Sequence, residues 1–387
     1  MGERRGMNNT HLKNRNRGLT LQLISAGQLL SRADITKRIG LTKMTVTNIV
    51  AELIADGFVI EKSVAETMAV GRNPVQLDIA PHAPKALGIY LSRESVSVIL
   101  SDLKLHLLYS RSIPLAEETA DSLREKLLLL AEDALSQTDD AVLGIGISAI
   151  GPLDTRSGLL LNPAGFFGIR HFPIVSLLEE ATGLAVVLDN DGNAAALAER
   201  LYGLGRTIEN FLYIGLSNGI GAGIVSGGRL YQDHNGFVGE IGHTSINFDG
   251  PLCACGRQGC LEVYASMPVI LNKLRVASGQ PKAGYRDFEV LMREPACDAV
   301  FRDMTSKLAA ALSNAVNLLD PQCILIGHEG AYLPDMYVKL LEQQINQTML
   351  SSGYRHVLVA KSIFESRAPL VGSVCCIFQK LFFGATF

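Results

Sequence analysis

Apolar positions recur at helical spacing with short breaks from Leu19 to Ile60, and the pattern changes beyond residue 86. From Ala86 onward, β-branched runs (VSVILSDL, VLGIGISAI, LAVVLDN, NFLYIGLS and QCILIGHEG) alternate with helical stretches. The pattern predicts a small α-rich head followed by an α/β body. Their joint falls in IAPHAPKAL, residues 79–87, where two prolines and a histidine interrupt both periodicities. Two glycine-rich strand-turn units, at 144–158 and 215–228, suggest that the body consists of two similar α/β lobes.

Within the head, Ser31-Arg-Ala-Asp34 has the spacing of a helix-starting capping box, and Gly40-Leu41 ends that helix. A second helix is expected from Thr42. Its apolar residues Val46, Ile49, Val50, Leu53 and Ile54 share one face, which leaves Lys43, Met44, Thr45, Thr47 and Asn48 facing outward near its start. In a helix-turn-helix this end of the second helix enters the DNA major groove, where short Thr, Asn and Lys side chains reach base edges and phosphates. GFVIEK (57–62) and GRNPVQLDI (71–79) read as two strands of a wing, with Arg72 placed to enter a minor groove or touch phosphate. Any one of these features would also suit a plain three-helix packing module; together they point to DNA.

Charge supports that division. The chain of 387 residues carries a formal −3, yet residues 1–75 hold 11 Lys/Arg against 6 Asp/Glu. An acidic body with a basic head is the distribution expected when only the head meets a polyanion. At 48% hydrophobic residues the chain is too apolar for disorder, and it has no run near the roughly 20 apolar residues of a membrane span. The basic, polar start has no apolar signal-peptide core, so a cytoplasmic protein is expected.

The seven cysteines are an odd number, and three crowd into Cys253, Cys255 and Cys260. In GEIGHTSINFDGPLCACGRQGCLE these join His243 to give four ligands able to close a tetrahedral Cys3His zinc site. A zinc ion held by four protein ligands has no open position for water, so a structural role follows, stapling the loop and orienting its neighbours.

His243 followed by CACGRQGCLE resembles the zinc signature of the ROK family (repressors, open reading frames and kinases). The head is similar to that of the family's transcriptional-regulator branch, including xylose-type and N-acetylglucosamine-type repressors, and the likeness runs from about Leu12 to the C-terminus. It implies a winged helix-turn-helix at 1–80 followed by an actin/hexokinase-like (ribonuclease H-like) pair of lobes. Lobe 1 would span 81–200, completed by a C-terminal helix at about 368–387, and lobe 2 would span 201–367 with the zinc site. LDNDGNAAALAE (188–199) is similar to the family's sugar-binding strand-to-helix segment, which implies hydroxyl contacts by Asn190 and Asp191, the latter in the place of the kinases' catalytic base. Glu240, His243 and Glu262 match the family's other sugar contacts. Carboxylates and amides suit vicinal hydroxyls physically, and Asp191 would equally serve as a helix N-cap.

Phosphoryl transfer needs more than a sugar site. SNGIGAGIVSGG (217–228) is similar to the family's second phosphate loop. Where kinases of the family have an Asp and a Gly-Gly-Thr turn after the first strand, this chain has Gly88-Ile-Tyr-Leu-Ser-Arg-Glu94, and His328-Glu329 interrupts the glycines of the adenine-side motif. The expectation is therefore a non-enzymatic regulator of carbohydrate genes, a homodimer or dimer of dimers on operator DNA, gated by a sugar or sugar phosphate. An ATP-dependent sugar kinase with a fused DNA-binding head is the alternative.

Overall fold

A computed structural model describes residues 9–27, 29–62, 75–231 and 236–384. Arg72, expected in the wing, lies outside the described residues. The chain packs as two compact units: residues 1–149, 172–188 and 373–387 form one, and 150–171 with 189–372 form the other.

The first unit begins with the head: α1 (Asn9–Ser25), β1 (Leu30–Ser31), α2 (Arg32–Ile39), α3 (Lys43–Ala55), β2 (Val59–Lys62) and β3 (Gln76–Ile79). Ser31 caps α2 in a complete capping box with Asp34, and Gly40 ends the helix in the left-handed region at φ 68°, a conformation free of penalty only for glycine. Thr42 caps α3 by accepting from the Thr45 N–H. Val46, Ile49, Val50 and Leu53 are buried, while Ile54, at the margin of that face, is half-buried. The three strands form an antiparallel sheet in the order β1-β3-β2.

The rest of the first unit contains β4 (Lys85–Leu91), β5 (Ser95–Ser101), β6 (Leu107–Pro114), α4 (Ala120–Leu135) and β7 (Val142–Ala149). A two-stranded hairpin of the second unit, β8 (Leu153–Asp154) with β9 (Leu159–Leu160), comes next in the chain, followed by α5 (Ile174–Thr182) and β10 (Val186–Asn190). The second unit continues with α6 (Asp191–Tyr202), β11 (Phe211–Leu216), β12 (Ile220–Ser226), β13 (Arg229–Leu230), α7 (Glu262–Ala265), α8 (Met267–Ser278), α9 (Phe288–Leu291), α10 (Pro295–Leu319), β14 (Cys323–His328), α11 (Asp335–Thr348) and β15 (Leu358–Lys361). Helix α12 (Ala368–Phe382) contributes to both units.

Each unit is built on a five-stranded sheet of the same design. The orders are β10-β7-β4-β5-β6 and β13-β12-β11-β14-β15. In both, the first strand is antiparallel to the second and parallel to the fourth. Two similar lobes are what the sequence pattern predicts, but their limits differ from 81–200 and 201–367: residues 150–171 and 189–200 pack with the second unit. The reason is visible at α6, whose residues Ala194, Ala195, Ala196, Leu197 and Ala198 are buried and whose first turn lies against β12.

Two docking contacts complete the first unit. Helix α12 crosses β4 and β7 so closely that a Cβ on Gly88 or Gly146 would overlap the hydroxyl or the carbonyl oxygen of Ser373. Its far end meets the head, since a Cβ on Gly18 of α1 would overlap the Phe382 carbonyl. Buried Asp78 on β3 accepts from Lys62 and from Lys104 of the β5–β6 turn, tying the head's sheet to the lobe. Burial pushes its pKa up, but those hydrogen bonds outweigh burial and hold the carboxyl below the usual carboxylate range.

Overpacking by a single methyl tests the α12 seat. Gly146→Ala is expected to destabilise the chain by about 1–3 kcal/mol in urea or thermal unfolding. Gly353→Ala, which would meet open space, should be nearly neutral. Equal stabilities for the two variants would refute the close approach.

Candidate functional site

The site grows from the β10–α6 junction. Asn190 is the N-cap of α6, its side chain accepting the Gly192 N–H at 2.9 Å, and the Asp191 carboxylate accepts the same N–H at 2.8 Å. Behind them buried Asp189 accepts from the Asn190 N–H and from the Asn193 amide, both at 2.8 Å. A helix N-terminus favours this acidic, amide-rich turn, and both Asn190 and Asp191 remain half-buried and reachable.

Glycines bring the remaining groups in. Gly223 of β12 has no room for a side chain against the Gly192 carbonyl of α6, and Gly239 and Gly242 press in the same way on Ala222 and Ile220. The segment 239–243, which carries Glu240 and His243, is therefore seated on β12, with Ala222 donating to the Gly239 carbonyl at 2.7 Å. A Cβ on Gly151 would stand 3.2 Å from the Asn190 amide nitrogen and 4.0 Å from a Glu240 carboxylate oxygen, so this glycine leaves the space before them open. Glu240 is exposed as a residue, yet its carboxyl is partly desolvated. Desolvation raises its pKa, His243 opposes the rise, and the negative charges of Asp191 and Glu262 add to it. Asp191, Glu240, His243 and Glu262 thus share one electrostatic neighbourhood, rich in acceptors.

In two turns near the expected phosphate positions, backbone N–H groups are already bonded to carboxylate or hydroxyl side chains. Ser92 Oγ accepts from the N–H groups of Glu94 and Ser95 in the β4–β5 turn. In the β11–β12 turn, Glu262 accepts the Ile220 N–H at 3.3 Å, and a Cβ on Gly219 would come 2.8 Å from the same carboxylate oxygen.

His243 also faces the cysteines. Its Nδ1 lies 3.6 Å from Cys253 Sγ, Cys255 Sγ lies 3.6 Å from Cys260 Sγ, and the ligand atoms of all four residues fall within 4.8 Å of one another. Sulfurs on a tetrahedral ion at about 2.3 Å would stand about 3.8 Å apart, so the set is sized for a metal ion. Tight backbone holds it: Cys253 donates to the Arg257 carbonyl, Gly256 donates back to Cys253, and Gly256 and Gly259 take φ of 87° and 68°. Burial and the neighbouring thiols Cys255 and Cys253 push the Cys260 thiol up to about 12. A bound cation is the natural counter-charge that would let this group ionise.

In the head, Thr42, Lys43, Met44, Thr47 and Asn48 are exposed and Thr45 is half-buried. The Thr47 hydroxyl donates to the Lys43 carbonyl and the Thr45 hydroxyl pairs with that of Thr42. Met44, 71% exposed, is a large apolar side chain displayed at the start of a helix.

The sequence pattern marks His328 only as an interruption of glycines. In the structure its buried ring lies 3.6 Å from Asp191 and 3.1 Å from the Tyr213 hydroxyl. Nothing in the local pattern pairs residues 115 positions apart.

Two sheets of one design, with a polar cluster where β10 enters α6, define an actin/hexokinase-like α/β protein. The chain belongs to the ROK family, whose model matches residues 86–380. It is 31% identical to the putative xylose repressor of Caldicellulosiruptor sp. (strain Rt8B.4), over 97% of this chain and 98% of that protein. A solved ROK family transcriptional regulator, described as a homolog of the E. coli MLC protein, superposes with a TM-score of 0.81 at 29% identity, covering 97% of this chain and 98% of its own. The ROK hexokinase of Thermus thermophilus superposes at 0.66 with 30% identity, covering 98% of its own chain but 76% of this one.

Cobalt(II) reports on the cluster directly. The chain is expected to take up one ion with the thiolate-to-metal absorption of a tetrahedral thiolate-rich site, and Cys260→Ser should lower affinity by more than about tenfold. No absorption in the wild type, or an unchanged spectrum in the variant, would count against a metal site.

Proposed function

We propose that this chain is a sugar-responsive, DNA-binding transcriptional repressor of carbohydrate-metabolism genes, acting in the cytoplasm. The observation that carries the reading is the extent of the likeness. The regulator superposes over 97% of this chain, whereas the hexokinase covers 76% of it. The head is read as a winged helix-turn-helix, with α3 entering the major groove and Thr42, Lys43, Met44, Thr45, Thr47 and Asn48 as its contacting residues, joined by Arg72. A homodimer fits a pseudo-palindromic operator, since a two-fold protein matches a two-fold site.

The ligand is read as a sugar held by Asn190, Asp191, Glu240, His243 and Glu262, whose acceptors suit several hydroxyl donors at once. Zinc is the ion proposed for His243, Cys253, Cys255 and Cys260; with all four positions taken it serves structure, keeping the His243 ring and the 239–262 segment in place. Non-enzymatic sensing is favoured by the turns at 92–95 and 217–220, because their N–H groups at 94, 95 and 220 already serve Ser92 and Glu262. Phosphate cradles need such N–H groups free. Ligand-gated control requires only that the sugar prefer one of two arrangements of the protein.

A fluorescence-anisotropy titration on DNA upstream of the protein's own gene, at fixed salt, tests this against D-xylose, D-glucose, N-acetyl-D-glucosamine and their phosphates. One sugar is expected to shift operator affinity by at least about fivefold. ATP turnover on any of these sugars without specific DNA binding would replace the regulator by a kinase.

The groove assignment has its own check. Lys43→Ala should weaken binding and reduce the salt slope by about one, while Asn48→Ala should relax sequence preference at one base position, costing about 1–3 kcal/mol on the specific operator. Wild-type behaviour of both variants would rule out α3 as the reading helix.

A further inference from the structure

Tyr213 and His328 are buried, lie on adjacent parallel strands, and form a chain that ends at Asp191. Residues Gly215 and Gly327 face each other across β11 and β14, and both make room for this pair. A Cβ on Gly327 would overlap the Tyr213 hydroxyl, and one on Gly215 would stand 2.7 Å from Cε1 of the His328 ring. His328 itself holds φ 55° and ψ −140°, backbone that glycine adopts readily and other residues rarely do. A bulky residue kept there, with two glycines cleared around it, is a constraint that packing alone would have met with less strain.

One backbone hydrogen bond constrains the proton positions along this chain. The His328 backbone N–H donates to the Tyr213 oxygen at 3.2 Å, and the same oxygen lies 3.1 Å from His328 Nδ1, a geometry in which the phenolic proton can be donated to that nitrogen. Burial, with the nearby negative charges of Glu199, Asp191 and Glu329, holds the Tyr213 pKa well above its ordinary value, so the phenol keeps that proton. With Nδ1 as the acceptor of that proton, a singly protonated ring carries its own on Nε2, which faces Asp191 Oδ2 at 3.6 Å. That gap is longer than a hydrogen bond and is of the kind that tightens when a ligand is bound.

We propose that His328, set in the Nε2–H tautomer by Tyr213, is a positioning residue that fixes the Asp191 carboxylate as the acceptor of a sugar hydroxyl. The role rests on the reading of Asp191 as a sugar contact. Oδ1 accepts the Gly192 N–H and Oδ2 lies 3.6 Å from Nε2, so His328 stands where a small closing movement would orient the carboxylate toward a ligand. The interruption of the glycines at 328 thereby acquires a function that a kinase-type glycine could not supply.

The test uses the full chain and the sugar that binds most tightly in the panel above, titrated by calorimetry. His328→Asn keeps an amide beside Tyr213 but cannot reach Asp191, and is expected to lose about tenfold or more in affinity. His328→Gln, whose amide nitrogen reaches the Nε2 place, should stay within about threefold of wild type. Nitrogen-15 spectra of the histidine ring, taken at about pH 8.5 where an ordinary imidazole is neutral, should show the proton on Nε2, and Tyr213→Phe should mix the tautomers. Equal losses in both His328 variants, undiminished binding by the Asn variant, or a wild-type ring protonated on Nδ1 would each overturn the role. A wild-type chain that binds no sugar would overturn the reading of the site and this role with it; ring signals still placing the proton on Nε2 would distinguish that case from failure of the Tyr213–His328 pair.

Discussion

At three places where β12 meets the segments that flank it there is no room for a side chain. Gly223 lies on the Gly192 carbonyl, Gly239 on Ala222 and Gly242 on Ile220, each so close that a single added carbon would force backbone apart. Backbone-to-backbone seating of this kind fixes positions more tightly than side-chain packing can, because no rotamer change relieves it. The α6 terminus with Asn190 and Asp191, and the 239–243 segment with Glu240 and His243, are set by it. The polar cluster is thus a consequence of strand packing before it is a matter of its own hydrogen bonds.

On that frame the electrostatics become intelligible. Three carboxylates, Asp191, Glu240 and Glu262, are gathered close enough for Glu240 to feel the other two. Each is relieved differently: Asp191 by the Gly192 N–H, Glu262 by the Ile220 N–H, Glu240 by His243. Among the described residues, no hydrogen bond to a backbone N–H relieves Glu240 in the way that Gly192 relieves Asp191, and desolvation together with the two neighbouring carboxylates holds its pKa above the ordinary value. His243 stands where this cluster meets the cysteines, so an ion on the thiolates would fix the orientation of a ring that also faces the carboxylates.

The head is attached by the same means. Gly18 of α1 lies on the Phe382 carbonyl of α12, and Asp78 of β3 pairs with Lys104, so a backbone contact and a desolvated ion pair together hold the head within the first unit. Helix α12 has its first five residues in the second unit and continues into the first. Three glycines on two strands and a helix, Gly88, Gly146 and Gly18, are what let one apolar helix serve as that seat.

What the sequence by itself determined is local. The Ser31–Asp34 box, the Gly40 stop, the outward face of α3 and the His243/Cys253/Cys255/Cys260 set all lie within short stretches whose geometry follows from backbone preference and ligand spacing, so the order of residues is enough to reveal them. The alternation of strands and helices likewise points to two similar lobes. Only the tertiary structure decided which glycines mark close approaches and which are turns, why residues 150–171 and 189–200 pack away from the strands that precede them, and that Tyr213 would meet His328 and through it Asp191. Those facts depend on strand register and on contacts between residues over a hundred positions apart, and periodicity in one dimension carries no information about which strand becomes whose neighbour.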